Sequence, residues 1–395
     1  MEVLRAGQVF DGERFLGATD IAIDDGTVVD VGPPGAYASD VTVEELGDVT
    51  VLPGLVDAHQ HLTWDCSTDP LGWHRESDDE ALLERGRANA RRALAAGVTT
   101  VRELGGRGLV TVALRDELAR DPSSGPMLLV AGPALTTPGG HCWFLGGECA
   151  DEAALRAAVA RLAAAGVDVV KVMATGGTVT PGSAPHESQF GVAELRAVVE
   201  SAHAAGLPVA AHAHGTSGVA DAVTAGVDTI EHVSFMTADG IAQDPDLVAR
   251  LAASGLPLSI TGGTVPGPLR PEIAIRLPAL LEHLRGLVAS GANCLFSTDA
   301  GIGPPKPHDV MVHGVTQLVS MIGLPTDRAL AMCTSLPAKA LGIADRAGRL
   351  APGMPADVLV VAGRADEDVE AMLRPERVLH AGIIVADGRA LDSPV

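Results

Sequence analysis

Basic residues are scarce in this sequence: 28 lysines and arginines stand against 50 aspartates and glutamates, giving a net charge of −22 with histidine neutral. That balance repels phosphate backbones and anionic lipid surfaces, which excludes nucleic acid and membranes as natural partners. Long apolar runs are missing too, and none reaches the roughly 18 uncharged residues that a membrane span requires. The opening residues Met1-Glu2-Val3-Leu4-Arg5 lack the basic start and apolar core of a secretory signal, so a cytoplasmic location is expected. The five cysteines (Cys66, Cys142, Cys149, Cys294, Cys333) are odd in number and contain no Cys-x-x-Cys pair. Reduced, mostly buried thiols are expected rather than disulfides or a zinc–cysteine site.

What remains is an ordinary globular composition, 47% hydrophobic and 20% charged over 395 residues. Between Val51 and Ala300 short β-rich apolar runs alternate with Ala- and Leu-rich stretches carrying charges at helical spacing, the pattern of repeated βα units. Eight strands are predicted: 52–61, 97–104, 127–135, 167–174, 208–214, 228–233, 257–261 and 294–299. Helices are predicted over 78–95, 152–165 and 192–205, each followed by a glycine suited to a C-cap. Eight parallel strands with intervening helices specify an α/β fold, a (β/α)8 TIM-type barrel of about 250 residues.

Residues 1–50 alternate apolar and polar positions around the turn signals Asp11-Gly12 and Asp25-Gly26, and the tail from Ala356 to Leu391 shows the same habit. The two ends are expected to pair into one small β-sandwich. The predicted division is therefore 1–52 with 349–395 for the β-sandwich and 53–348 for the barrel.

The chemistry concentrates at predicted strand ends. His59 and His61 lie two apart at the end of the first barrel strand, so that period-two geometry aims both imidazoles the same way. Strand four carries Lys171 among valines, strand five ends in His212 and His214, strand six in His232 and strand eight in Asp299. Active sites of this fold assemble at the C-terminal rim from one or two residues per strand. A lysine inside an apolar strand is costly to bury as a free ammonium and needs a partner or a modification. The remaining histidines His74, His203, His283, His308, His313 and His380 fall off the predicted rim or on helix faces.

In this order, His59-Gln60-His61, Lys171, His212, His232 and Asp299 resemble the amidohydrolase superfamily. Val51 to Asp57, Ser297 to Gly301 and Gly348 to Asp357 are typical of it as well, so the resemblance spans nearly the whole chain. Within it, Lys171 to Gly177 and Gly139-Gly140-His141 look like the Xaa-Pro dipeptidase (prolidase) and related amidase branch. The resemblance implies two divalent metal ions, zinc first among them, bridged by Lys171 carrying a CO2-derived carbamate. It implies that His59, His61 and Asp299 hold one metal, His212 and His232 the other, with a hydroxide between metals about 3.5 to 4 Å apart as nucleophile. Asp299 would then move the proton to the departing amine, and His141 would bind the substrate's carbonyl oxygen as it becomes an oxyanion. Relatives often carry tyrosine where this chain has His214, which is assigned to substrate contact. The loop 178–190 makes a pocket wall in which Gln189 and His186 are candidate contacts.

The expected reaction is hydrolysis of an amide or peptide bond in a small molecule, a dipeptide or N-acyl amino acid, by a homo-oligomer. A xenobiotic amide, carbamate or lactam is the alternative for the same chemistry. A mononuclear deaminase is disfavoured because Gly215 stands where its proton-shuttling glutamate would be and because Lys171 is present. A dipeptide's carboxylate asks for an arginine clamp, for which Arg102, Arg107 and Arg270 are the candidates.

Overall fold

A computed structural model describes residues 1–35, 37, 41–268 and 271–388. The chain opens with β1 (Glu2–Phe10), β2 (Phe15–Asp24), β3 (Thr27–Gly32) and β4 (Thr42–Pro53) and closes with β13 (Val358–Ala362), β14 (Pro375–His380) and β15 (Ile383–Asp387). These seven form one mixed sheet in the order β15-β14-β13-β4-β1-β2-β3. The two chain ends meet where β13 runs antiparallel to β4, Val358 opposite Pro53 and Val360 opposite Val51. Leu4, Val9, Ile21, Val28, Val51, Val358 and Leu379 interlock on its buried face. The turn at Asp25-Gly26 joins β2 to β3 as expected of such a dipeptide, with Asp25 at φ 46° and Gly26 at φ 72°.

Between these ends run β5 (Leu55–Gln60), β6 (Val98–Glu103), β7 (Met127–Val130), β8 (Val170–Met173), β9 (Val209–Ala213), β10 (Thr229–His232), β11 (Leu258–Thr261) and β12 (Cys294–Ser297). All their pairings are parallel. Hydrogen bonding divides them into a three-stranded sheet, β5-β6-β7, and a five-stranded sheet, β12-β11-β10-β9-β8. Single parallel bridges join the sheets on both sides, Gln60 to Ala300 and Leu135 to Val172. All eight strands fall inside the predicted runs, several of them shorter than predicted, and two of the shifts have a clear local cause. Residues 52–53 belong to β4, and the chain passes to β5 at Gly54, where an added Cβ would lie 2.1 Å from Thr99 Oγ1. β7 stops at Val130 rather than Leu135, because Gly132 turns at φ 66° and Pro133 offers no N–H to the ladder.

Helices cover these strands: α1 (Pro70–Glu76), α2 (Asp79–Ala95), α3 (Val110–Leu118), α4 (Glu152–Ala164), α5 (Val192–Ala204), α6 (Thr216–Ala225), α7 (Pro245–Ser254) and α8 (Pro271–Ala289). The Asp78 and Asp151 carboxylates cap α2 and α4 by accepting from Ala81 N and Ala154 N. Leu82, Gly86, Asn89, Ala90, Ala93 and Leu94 form the buried stripe of α2, the three- and four-residue spacing read in the sequence. Along β8 and β9, Val170, Val172, Val209 and Ala211 join the core packed by the helices. The alternate positions Lys171, Ala210 and His212 face the other way.

Candidate metal centre and catalytic pocket

The strand order brings the predicted ligands to one cavity. His59, His61, Lys171, His212, His214, His232 and Asp299 line it together with His141. Nε2 of His59 and Nε2 of His61 are 3.4 and 3.1 Å from the same oxygen of Asp299, and 3.3 Å from each other. His232 Nε2 lies 2.9 Å from His212 Nδ1, and the His214 ring stacks on His232 at 4.3 Å and 16°. Two groups able to hold a cation result, His59 with His61 and Asp299, and His212 with His214 and His232. The sequence reading gave His214 to substrate contact, whereas the geometry sets it beside both imidazoles of the second group.

Strand alternation alone does not deliver His232. Thr229 and Glu231 turn toward Arg102, and Ile230 packs in the opposite direction among the apolar core. Alternation would send His232 after Ile230. A left-handed backbone at His232 (φ 76°) and Val233 (φ 48°) breaks it. Asp299 is also left-handed (φ 56°). Such conformations are uncommon outside glycine and concentrate at functional sites.

Lys171 is 1% exposed, and its Nζ has no hydrogen-bond partner. Burial pushes the ammonium down to about 8. A low pKa gives a neutral amine fraction able to react with CO2. Burial likewise holds His59 and His214 down to about 4, and His212 and His232 well below the usual imidazole range. Burial alone would raise Asp299, but the neighbouring imidazoles His59 and His61 hold its carboxyl below the usual range. Neutral imidazoles, one ionised carboxylate and an orphaned amine in one cavity fit a pair of divalent cations.

A second layer escaped the sequence reading. Glu231 accepts from His59 Nδ1 at 3.1 Å, which leaves the Nε2 lone pair facing the cavity. Arg102 donates to Glu231 at 2.7 Å, to Ala58 O at 2.8 Å and to Thr229 at 3.1 Å. Asp57 accepts from Thr298 N and Oγ1 and from Gln60, fixing the segment that carries Asp299. His212 Nε2 donates to Gly176 O at 2.9 Å, His214 Nδ1 pairs with Ser234 and His232 Nδ1 with Thr261, both at 2.8 Å. Two histidines assigned away from the rim also touch it from behind: His308 donates to His61 O at 3.0 Å and His283 to Val233 O at 2.8 Å.

Other expectations change. Arg102 is no substrate clamp, being 3% exposed and fully engaged beneath the site. Arg107 is held by Asp79 and by His74 O, outside the cavity lining. Arg270 lies outside the described residues. Gln189 sits one layer back: its Oε1 accepts from His141 N and its Nε2 donates to Thr136 and Met173 O. The amide therefore shapes the His141 loop instead of reaching substrate. His141 itself is 5% exposed with Nδ1 unpartnered, and burial pushes it down to about 3. An added Cβ on Gly177 would lie 2.3 Å from its Nε2, so the glycine makes room for the ring.

The geometry has counterparts. Ochratoxinase from Aspergillus niger is 27% identical over 369 residues, covering 84% of this chain and 74% of that protein. Imidazolonepropionase from Deinococcus radiodurans is 29% identical over 373 residues, 86% of this chain and 84% of that one. The crystal structure of a Xaa-Pro dipeptidase with bound methionine superposes with a TM-score of 0.82 at 27% identity, covering 97% of this chain and 99% of that one. The amidohydrolase family model matches residues 50–387, from the last four residues of β4 through β15 and across every candidate ligand just described. This chain belongs to the amidohydrolase family, a family of hydrolases acting on carbon–nitrogen bonds.

Proposed function

We propose that the chain is a binuclear metal-dependent amidohydrolase that cleaves the amide bond of a small dipeptide or N-acyl amino acid. The observation that carries this is Lys171: a buried, unpartnered amine in the wall of a cavity that also holds two histidine groups. On this reading Lys171 would carry a carbamate and serve two cations, zinc in the first instance. His59, His61 and Asp299 would hold one of them, and His212 and His232, with His214 in reach, would hold the other. The cations supply Lewis-acid polarisation of the scissile carbonyl and acidify a water molecule. Asp299, kept ionised by its imidazole neighbours, accepts the proton of the attacking water and returns it to the departing nitrogen. His141 donates to the carbonyl oxygen as negative charge builds there. Gln189 and Gly177 hold that imidazole in place.

The same reading takes the eight parallel strands with their two joining bridges as one (β/α)8 barrel of residues 53–348. It takes the two chain ends, 1–52 with 349–395, as the companion domain; a β-sandwich is expected there, and its described strands lie in one mixed seven-stranded sheet. It also takes the chain as a cytoplasmic homo-oligomer acting on a small molecule and not on nucleic acid or membranes. Among the described helices none is long and apolar enough to cross a membrane.

A second reading keeps the chemistry and exchanges the substrate for a non-peptide amide, carbamate or lactam. The cavity lining favours it, since no described arginine borders the pocket while Trp64, Met173, Val179 and Ile302 do. Metal content of protein grown with zinc, followed by hydrolysis of Xaa-Pro dipeptides and N-acyl amino acids, decides between the readings. Two metals with release of free amino acid is the expected result. Two metals without peptide turnover selects the second reading, and one metal or none defeats both.

A further inference from the structure

Aromatic side chains make up 3% of this sequence, with three tryptophans and one tyrosine. The three tryptophans lie in two segments that follow barrel-type strands, one of them, Trp73, within α1. Trp64 and Trp73 follow β5, and Trp143 follows β7 next to His141 and Cys142, both of which line the cavity. Trp64 lines it too, with its ring 5.7 Å from that of His61. Phe144 stands 5.9 Å from Trp64, and Trp143 meets Phe144 edge-on at 6.2 Å. The rings therefore run without a break from a metal-ligand candidate to the surface. There Trp143 remains 37% exposed and the Arg75 guanidinium lies 5.8 Å over its ring.

A fully buried aromatic cluster would be ordinary core. This one surfaces at its far end, and its surface member lies two residues after His141. Large rings offer rigid contact area at small entropic cost, and offset or edge-to-face contacts with a second aromatic add to the gain from burial alone. We infer that Trp143, backed by Phe144 at the surface end of a ring series that starts from the buried Trp64 in the cavity lining, binds a flat aromatic group of the substrate lying beyond the scissile amide toward Arg75. The inference rests on the amide-hydrolase reading above and narrows its substrate class to aryl-bearing amides. The lack of a described arginine in the lining agrees with recognition through ring contact more than through a deep carboxylate clamp.

The test uses the full-length, zinc-loaded protein and four substrates: N-acetyl-alanine, N-benzoyl-alanine, N-acetyl-phenylalanine and N-benzoyl-phenylalanine. At least one aromatic member should exceed N-acetyl-alanine in kcat/KM by roughly ten-fold or more, mainly through a lower KM. In Trp143→Ala that preference should shrink by most of its size, and in Trp143→Phe most of it should return. Equal rates across the four, or a preference untouched by Trp143→Ala, overturns the aromatic wall while leaving amide hydrolysis standing. If none of the four is cut, calorimetric titration with N-benzoyl-phenylalanine still decides. Binding that weakens about ten-fold in Trp143→Ala supports the wall though the N-acyl amino-acid reading has failed, and binding unaffected by it overturns the wall. Light scattering closes the remaining route, because a change of assembly size in Trp143→Ala without loss of preference makes the exposed ring a contact between copies and defeats the proposal.

Discussion

The two halves of the site are built from the same side chain but backed differently. Behind His59, His61 and Asp299 stand carboxylates: Glu231 on His59, Glu103 at 3.9 Å from His61 Nδ1, and Asp57 on the Asp299 segment. Behind His212, His214 and His232 stand a carbonyl and two hydroxyls, from Gly176, Ser234 and Thr261. A carboxylate makes the imidazole it accepts from a stronger base, whereas a carbonyl or hydroxyl only orients it. The first half should therefore hold its cation tightly, and the second should hold it more loosely.

Lys171 belongs to neither half, and removing it should have the largest effect. Lys171→Ala should lower metal content from two per chain to one or fewer and reduce turnover by on the order of a thousand-fold, several kcal/mol of transition-state stabilisation. Elemental analysis showing two metals with full activity would falsify its placement between the halves. His141, whose ring lies 4.9 Å from that of His212, comes next. His141→Ala should cost about 10²–10³ in kcat with both metals retained, and loss of a metal in that variant would make His141 a ligand instead.

The backing itself can then be exchanged. Glu231→Gln should weaken one cation about 10–100-fold and also lower the melting temperature, because Arg102 loses its buried counter-charge. Thr261→Val removes only a hydroxyl and should weaken the other cation less. Competition with a chelator measures both variants, and equal losses in the two would erase the asymmetry.

The smallest expected effect is one that both halves share. Burial holds His59, His74, His214 and His308 down to about 4, against an unperturbed value of 6.5. A depressed folded-state value means that the unfolded chain binds protons first as the pH drops. The stability associated with these neutral rings is complete above pH 6.5 and is lost as the pH falls toward 4. Metal-free protein should accordingly melt several degrees lower at pH 5 than at pH 8, and a flat profile would contradict neutral burial.

Much of this arrangement is legible in the sequence. Alternation and β-branched content mark the eight strands, and histidine or lysine near their ends marks the rim. The backing layer was harder to read because its partners meet only through the tertiary fold, as Glu231 does with Arg102 across 129 positions. A signal for it was present nonetheless. Arg102-Glu103 and Glu231 sit inside apolar strands, and the burial argument made for Lys171 applies to each of them. Arg102 was mistaken for a substrate clamp because a strand-end arginine reads alike whether it points up into the pocket or across beneath it. The left-handed turn at His232 leaves no mark in residue type, since nothing in Ile230-Glu231-His232-Val233 requests it. Pairing order at the chain ends was equally hidden, because tight-turn signals locate hairpins but do not say that β1 runs parallel to β4.

The pairing of β4 with β13 sets the order of events on a ribosome. Thr50 Oγ1 donates to the carbonyl of Gly363, 313 positions downstream, and β4 leads directly into the strand that presents His59 and His61. During synthesis β4 must wait, with one edge open, until nearly the whole chain has emerged. The catalytic segment between the two partners has by then had time to assemble. Arrival of β13 acts as a late latch, and a chain stalled shortly before residue 358 would carry every candidate metal ligand while leaving a bare strand edge open to aggregation.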